Sequence, residues 1–283
     1  MSQIHETAII EKGAEIGKNV TIEPYVIIKK NVVIGNNVTI KASSYIDGYT
    51  TIDEGTVIWP SASIGTQTQD KKFKGEKTYV RIGKNCNIRE FVTINSSCGE
   101  SSAVTIGDNC LIMACCHVAH NCTIGKGVIM ANSALLAGHV TVEDCAILGG
   151  MVAIHQHCRI GRYAMVGGFS GLGHDLPPYF IGGRTPFKVS GLNLVGLKRH
   201  GLSFERRQIL TMAFKIIYRS NLTLEEALAK IETGLEQTEE IQHLLKFCKN
   251  SKRGLAGHQS LIQEELDPMQ EVEEILSQKV QSI

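Results

Sequence analysis

Residues 4–64 read IHETAIIEKGAEIGKNVTIEPYVIIKKNVVIGNNVTIKASSYIDGYTTIDEGTVIWPSASI. Every sixth position of this stretch, from Ile4 through Ile34 to Ile64, is isoleucine. The same phase continues through Ile82, Ile88 and Ile94 and from Ile106 to Leu172. Of the 29 slots between 4 and 172, 26 are apolar; the exceptions are Asp70, Glu76 and Glu100. The fourth residue after a slot is small in most repeats (Ala8, Val20, Val38, Cys110, Val140). A period of six does not suit a helix, whose apolar positions recur every three or four residues. It suits short strands joined by corners and stacked as a solenoid, each unit burying its apolar side against its neighbours. Glycine follows many slots (Gly17, Gly35, Gly65, Gly83, Gly107, Gly125, Gly161). It is expected there for the backbone freedom a sharp corner needs.

Outward from this core, two polar stretches interrupt the repeat without shifting its phase. Residues 65–81 (GTQTQDKKFKGEKTYVR) and 97–104 (SCGESSAV) are expected as loops that replace hexads. The repeat ends near Leu172, and a change of period near residue 190 divides the chain into a domain at 1–190 and a helical one at 191–283. Ser203, Thr223 (with Glu226 in a capping box) and Thr238 or Glu239 are positioned to start helices. Residues 256–283 form an additional tail, with PMQEVEEILSQKV read as a further short helix.

The composition excludes several classes. The net charge of +1 gives no bulk-charge argument for nucleic acid. No run of about 18 apolar residues predicts a membrane span, and MSQIHETAII lacks the pattern of a signal peptide. Nine cysteines, an odd number without a CxxC pair, suit reduced thiols in a cytoplasmic protein. Cys86, Cys110, Cys116, Cys122 and Cys158 fall in the small inward slot and are expected as core.

Five of ten histidines lie within 117–157. Three hexads make an 18-residue triangular coil, so the hexads starting at Val118, Leu136 and Ile154 share one column and carry His120, His139 and His155. His117 precedes the first, and the loop at 65–81 leaves from the same column. Such a cluster serves as a general base or as a three-histidine zinc site; column geometry leaves both open.

Further motifs occur in order: QDKKFKGE (69–76), HVAHNCTIG (117–125), LAGHV (136–140), GGMVAIHQHCRIG (149–161), MVGGFSG (165–171), DLPPY (175–179) and NLVGLKRHG (193–201). With the hexads, this set resembles the hexapeptide-repeat transferases, and among them the UDP-N-acetylglucosamine O-acyltransferases that open lipid A biosynthesis. The resemblance covers about 1–254 and implies a left-handed parallel β-helix followed by α-helices. It implies a cytoplasmic homotrimer without cofactor or metal, moving a (3-hydroxy)acyl chain from acyl carrier protein to the glucosamine 3-OH. By the same resemblance His120 is the general base and Gly138 offers its N–H to the thioester carbonyl. Gln69, His117, His139 and His155 line the substrate. Gln156, Asn193 and Arg199 match nucleotide contacts, while Asp70 and Lys72 match residues reaching in from a neighbouring subunit. Gly168 matches the chain-length gauge, and a glycine there implies a long chain. Three departures stand out: Asn121 follows the base where relatives carry an acid, Val195 replaces a carboxylate, and His200 replaces an arginine. Lys188, Lys198, Arg199, Arg206 and Arg207 offer a basic face to an acidic carrier protein. A sugar-nucleotide N-acyltransferase is the alternative; its usual additional N-terminal domain has no counterpart before Ile4.

Overall fold

A computed structural model describes residues 1–258. The additional tail read from 256 onward, with its expected helix, lies outside the described residues beyond His258. Residues 3–172 wind as a parallel β-helix of triangular section. Its three faces are parallel sheets of two- to four-residue strands. The first face starts at Gln3–Ile4, the second at Ile9–Ile10 and the third at Glu15–Ile16, and each strand pairs with the one a coil later. The fold is the left-handed hexapeptide β-helix.

The slot residues point inward. Ile28, Ile40, Ile64, Ile94, Ile112 and Ile160 are fully buried, each stacked on its counterpart in the coils above and below. Ile4 is 49% exposed because no earlier coil covers it. The five core cysteines are buried as expected. Burial pushes the Cys116 thiol up to about 11 and those of Cys122 and Cys158 to about 12, so they remain protonated at neutral pH.

Gly65 has the expected left-handed backbone, with φ of 76°, but the other six glycines do different work. Gly17, Gly35, Gly83, Gly107, Gly125 and Gly161 do not occupy the left-handed region. The residue two positions later does, for example Asn19, Asn37, Asn85 and Asn109 at φ between 53° and 58°. Asparagine tolerates that conformation. These glycines instead permit contact between coils: a Cβ on Gly17 or on Gly107 would lie 2.7 Å from the backbone of Gly35 or Gly125.

The two interruptions are shorter than the polar runs suggest. Tyr79–Ile82 and Ala103–Ile106 are strands, leaving loops at 67–78 and 96–102. Phase is kept, but the loops are insertions and not replacements of hexads: Ile52, Ile82 and Ile106 stand in register at separations of 30 and 24 residues, so the loops add 12 and 6 residues to the 18-residue coil. Both loops leave the edge where the second face turns into the third.

Phe180–Gly183 extends the first face, and Lys188–Leu192 closes it antiparallel. Four helices follow: α1 (Leu194–Arg199), α2 (Phe204–Arg219), α3 (Leu224–Gly234) and α4 (Glu239–Lys249). Ser203, Thr223 and Thr238 cap the last three, and Thr223 with Glu226 closes the capping box. His243 ties α4 to the prism, 3.0 Å from Glu143 and 2.9 Å from the Tyr179 hydroxyl. No helix among the described residues is long and apolar enough to cross a membrane.

Candidate active site

The edge between the second and third faces gathers most of the titratable side chains read from sequence. At each coil it turns through two residues, the second in the left-handed region. The pairs are His120–Asn121, Gly138–His139 and Gln156–His157, with φ of 57°, 62° and 64° at the second member. The coil repeat is 18, so His120, Gly138 and Gln156 form one stack and Asn121, His139 and His157 the other.

The His120 ring lies flat against the Gly138 backbone. A Cβ at 138 would sit 2.3 Å from Cε1 and 2.5 Å from Nε2 of that ring. The next histidine meets it edge-on, with His120 and His139 centroids 5.2 Å apart. His139 then stacks on His157 at 4.5 Å. Burial, then the nearby His157 and His120, hold His139 below the ordinary histidine range. His117 projects from the second face; its Nδ1 is 2.7 Å from the Thr93 hydroxyl, and burial, then His120, lower its pKa.

The protonation pattern of His120 follows from its neighbours. The Asn121 amide nitrogen donates to the Cys98 carbonyl at 3.0 Å, and its oxygen accepts the Cys98 N–H at 3.2 Å. That orientation leaves only the oxygen facing His120 Nδ1, 2.9 Å away. Nδ1 therefore donates, and in the neutral ring the lone pair is then on Nε2. Asp70 Oδ2 lies 3.6 Å from Nε2. The Lys72 backbone N–H at 2.9 Å, followed by the field of His120 among the lesser causes, holds the Asp70 carboxyl below the usual range. One ring thus faces a fixed neutral acceptor on one side and a carboxylate on the other, with a proton-accepting nitrogen between Asp70 and open space.

The chain matches the bacterial transferase hexapeptide model at residues 13–48 and 103–138. It matches the UDP-N-acetylglucosamine O-acyltransferase domain 2 model at 175–256. The acyl-[acyl-carrier-protein]--UDP-N-acetylglucosamine O-acyltransferase of Chlamydia abortus is 53% identical over 256 residues, 90% of this chain and 92% of that one. That of Chlamydia caviae is 55% identical over the same coverage. The chain belongs to the UDP-N-acetylglucosamine O-acyltransferase family. The solved acyltransferase of Bacteroides fragilis superposes with a TM-score of 0.87 at 42% identity, covering 89% of this chain and 99% of that one. The Arabidopsis enzyme gives 0.78 at 34% identity, covering 89% and 99%.

Within one chain of this acyltransferase fold, the residues read from sequence fall on three edges. Asp70, His120, Gly138, His139, His155 and Gln156 share the edge just described, with Gln69 and Lys72 exposed on its loop. Asp70 lies 3.6 Å from His120 of its own chain. Gly168 lies on the edge between the first and second faces, beside exposed Phe169. Asn193 and Arg199 lie at the edge between the third and first faces. There Asn193 is buried and caps α1, its amide donating to the Tyr163 carbonyl at 2.9 Å and accepting Gly196 N–H at 3.1 Å. Lys188, Lys198 and Arg199 are exposed, whereas Arg206 is paired with Glu240 at 2.8 Å. Among the described residues no three histidine, cysteine or acidic side chains converge as metal ligands. The sequence reading missed His157, Thr93 and the Cys98 backbone. Stepping by 18 from His139 reaches His157; nothing in the repeat points to the other two.

Proposed function

We propose that this chain transfers an acyl group from acyl carrier protein to a hydroxyl of UDP-N-acetylglucosamine, the reaction after which its relatives are named. The observation that carries the mechanism is the contact of His120 Nδ1 with the fixed Asn121 oxygen, which makes Nε2 the proton acceptor of the neutral ring. Nε2 takes the proton of the glucosamine 3-OH as its oxygen attacks the thioester carbonyl. The negative charge on that carbonyl oxygen meets the Gly138 N–H. The intermediate collapses by breaking the C–S bond, and the imidazolium returns its proton to the departing thiolate. Asp70 faces the imidazolium while it exists. His117 and His139, held neutral by burial, offer uncharged hydrogen-bonding groups along the substrate path; His155 and Gln156 continue that edge toward the nucleotide.

We further infer a homotrimer, with Asn193 and Arg199 supplied by one copy and the His120 edge by the next. Outward residues differ by face: Leu111, Ile129, Ile147 and Met165 on the first are apolar, whereas Thr105, Thr123 and Thr141 on the third are polar. The edge between the first and second faces carries Phe91, Met151 and Phe169, each more than half exposed. An apolar edge flanked by two different faces suits a heterologous contact of the kind that closes into a ring, and the family resemblance supplies the three-fold order. In that ring Gly168 opens onto the seam, which supports a long acyl chain lying between copies. The exposed lysines and arginines of α1 and the strand before it favour an acidic donor such as acyl carrier protein.

The test is acyl transfer from a panel of acyl carrier protein thioesters to radiolabelled UDP-N-acetylglucosamine, with His120→Ala beside the unaltered protein. The expected loss on removing a general base is about 10²-fold or more. An alanine variant with full activity, or an unaltered protein inactive with every donor, would overturn the reading.

A further inference from the structure

The three breaks in the six-residue repeat, Asp70, Glu76 and Glu100, all lie in the two loops above His120. Asp70 faces the base, and Glu100 accepts the Lys77 backbone N–H at 3.3 Å. Glu76 makes no contact with His120, yet its carboxylate has a specific task. Its Oε1 accepts the Gly99 N–H at 2.7 Å and lies 3.7 Å from the Cys98 thiol; its Oε2 accepts the Lys74 N–H at 2.7 Å. The segment it holds, Cys98–Gly99, is the one whose backbone clamps both ends of the Asn121 amide.

We propose that Glu76 is a positioning residue for the reaction, setting the tautomer of His120 through the Cys98–Gly99 backbone and Asn121. This rests on the reading of His120 as the base. An acid at 121 would set a second oxygen against the Cys98 carbonyl, where Asn121 now donates at 3.0 Å. Asparagine is thus the residue that the loop backbone can hold in one orientation, and Glu76 keeps that backbone in place. The same loop supplies Asp70, so one segment determines the surroundings of both ring nitrogens. His117 and His139 are the other titratable groups facing the ring. The role asks for two acceptor oxygens at Glu76, because its partners are two backbone N–H groups and a thiol.

Glu76→Ala, Glu76→Gln and Asn121→Ala, alone and combined, test this by steady-state acyl transfer and by imidazole nitrogen NMR of His120. Glu76→Ala is expected to lower kcat about 10-fold with KM for both substrates nearly unchanged, the pattern of lost transition-state positioning. Glu76→Gln keeps an acceptor for the Gly99 N–H but turns its NH2 toward the Lys74 N–H, so it should lose activity but less than alanine. Glu76→Ala added to Asn121→Ala should cost nothing more, since both act in one chain of contacts. The NMR should show Nδ1–H in the unaltered protein and mixed tautomers in Glu76→Ala, with Glu76→Gln between the two. The inference fails if Glu76→Ala leaves kcat and the tautomer unchanged, if Glu76→Gln is as damaged as alanine, or if the double variant loses the product of both effects. Full activity of His120→Ala would sink the underlying reading instead, and the tautomer spectra separate the two failures.

Discussion

Replacing Gly138 by alanine perturbs the candidate site by a single methyl group. That methyl would lie 2.3 Å from Cε1, 2.5 Å from Nε2 and 3.0 Å from Nδ1 of His120. Ordinary contact begins near 3.4 Å, so the ring must withdraw by about 1 Å, a displacement that can cost on the order of 10²-fold in rate. Withdrawal also stretches the 2.9 Å contact between Nδ1 and Asn121. The Gly138 backbone is not in the left-handed region, so alanine can adopt it and keep the N–H in place. The expected result is a fall in kcat of about 10²-fold with little change in KM. Single-turnover transfer from a purified acyl carrier protein thioester measures it, with thermal unfolding as the check on the fold. His120→Ala removes the ring that the methyl strikes, so Gly138→Ala in that background should change nothing further. A Gly138→Ala variant within about 3-fold of the unaltered protein would refute the packing argument. So would a double variant far below His120→Ala, since Gly138 would then act independently of the ring.

The remaining predictions concern the prism, its assembly and pH. Gly107→Ala places a Cβ 2.7 Å from the Gly125 backbone; overpacking of this kind costs about 1–3 kcal/mol and should appear as a lower Tm. Phe169→Asp puts a charge on the apolar edge on which the proposed trimer would close; light scattering should show a smaller species than for the unaltered protein, and an unchanged mass would count against that seam. Gly168→Met, whose Cβ would already lie 3.1 Å from the Gly150 carbonyl oxygen, should shift donor preference to shorter chains; an unchanged profile across the thioester panel would count against the groove. His117, His139 and His258 all have pKa values lowered by burial in the folded state. The unfolded chain therefore binds more protons once the pH drops below about 6.5, so stability should decline from there toward the depressed folded values. His117→Gln should flatten that decline in denaturant titrations run across the window; an unaltered slope would exclude His117 as a contributor.

How much of this was legible depends on whether a feature obeys the repeat. The hexad slots prescribe the inward face directly, because a two-residue strand has only one inward side chain and the turn on either side has fixed length. The same arithmetic sets Gly138 under His120, as the two are 18 residues apart. It would also have stacked Asn121, His139 and His157, had the histidines been grouped by position in the coil rather than by hexad. The corner glycines were misread for a physical reason. A glycine following an apolar slot satisfies either a conformational or a steric demand, and sequence does not separate the two; only the 2.7 Å approach of successive coils does.

The loops obey no repeat, and there the sequence ran out in a specific way. Residues 67–78 and 96–102 fold against each other, so Glu76 meets Gly99 across 23 positions and Cys98 meets Asn121 across the same separation. Neither distance is a multiple of the coil. Yet the failure of periodicity is itself informative, since a solenoid can bury an apolar residue at every slot and gains stability from each one it fills. Asp70, Glu76 and Glu100 mark the three breaks in the six-residue count, and all three lie in loops inserted outside the wall of the prism. Each carboxylate has a partner in this structure: the Nε2 side of His120, the Gly99 N–H and the Lys77 N–H. In hexapeptide solenoids, the breaks in phase are therefore where chemistry and its supports should be sought first.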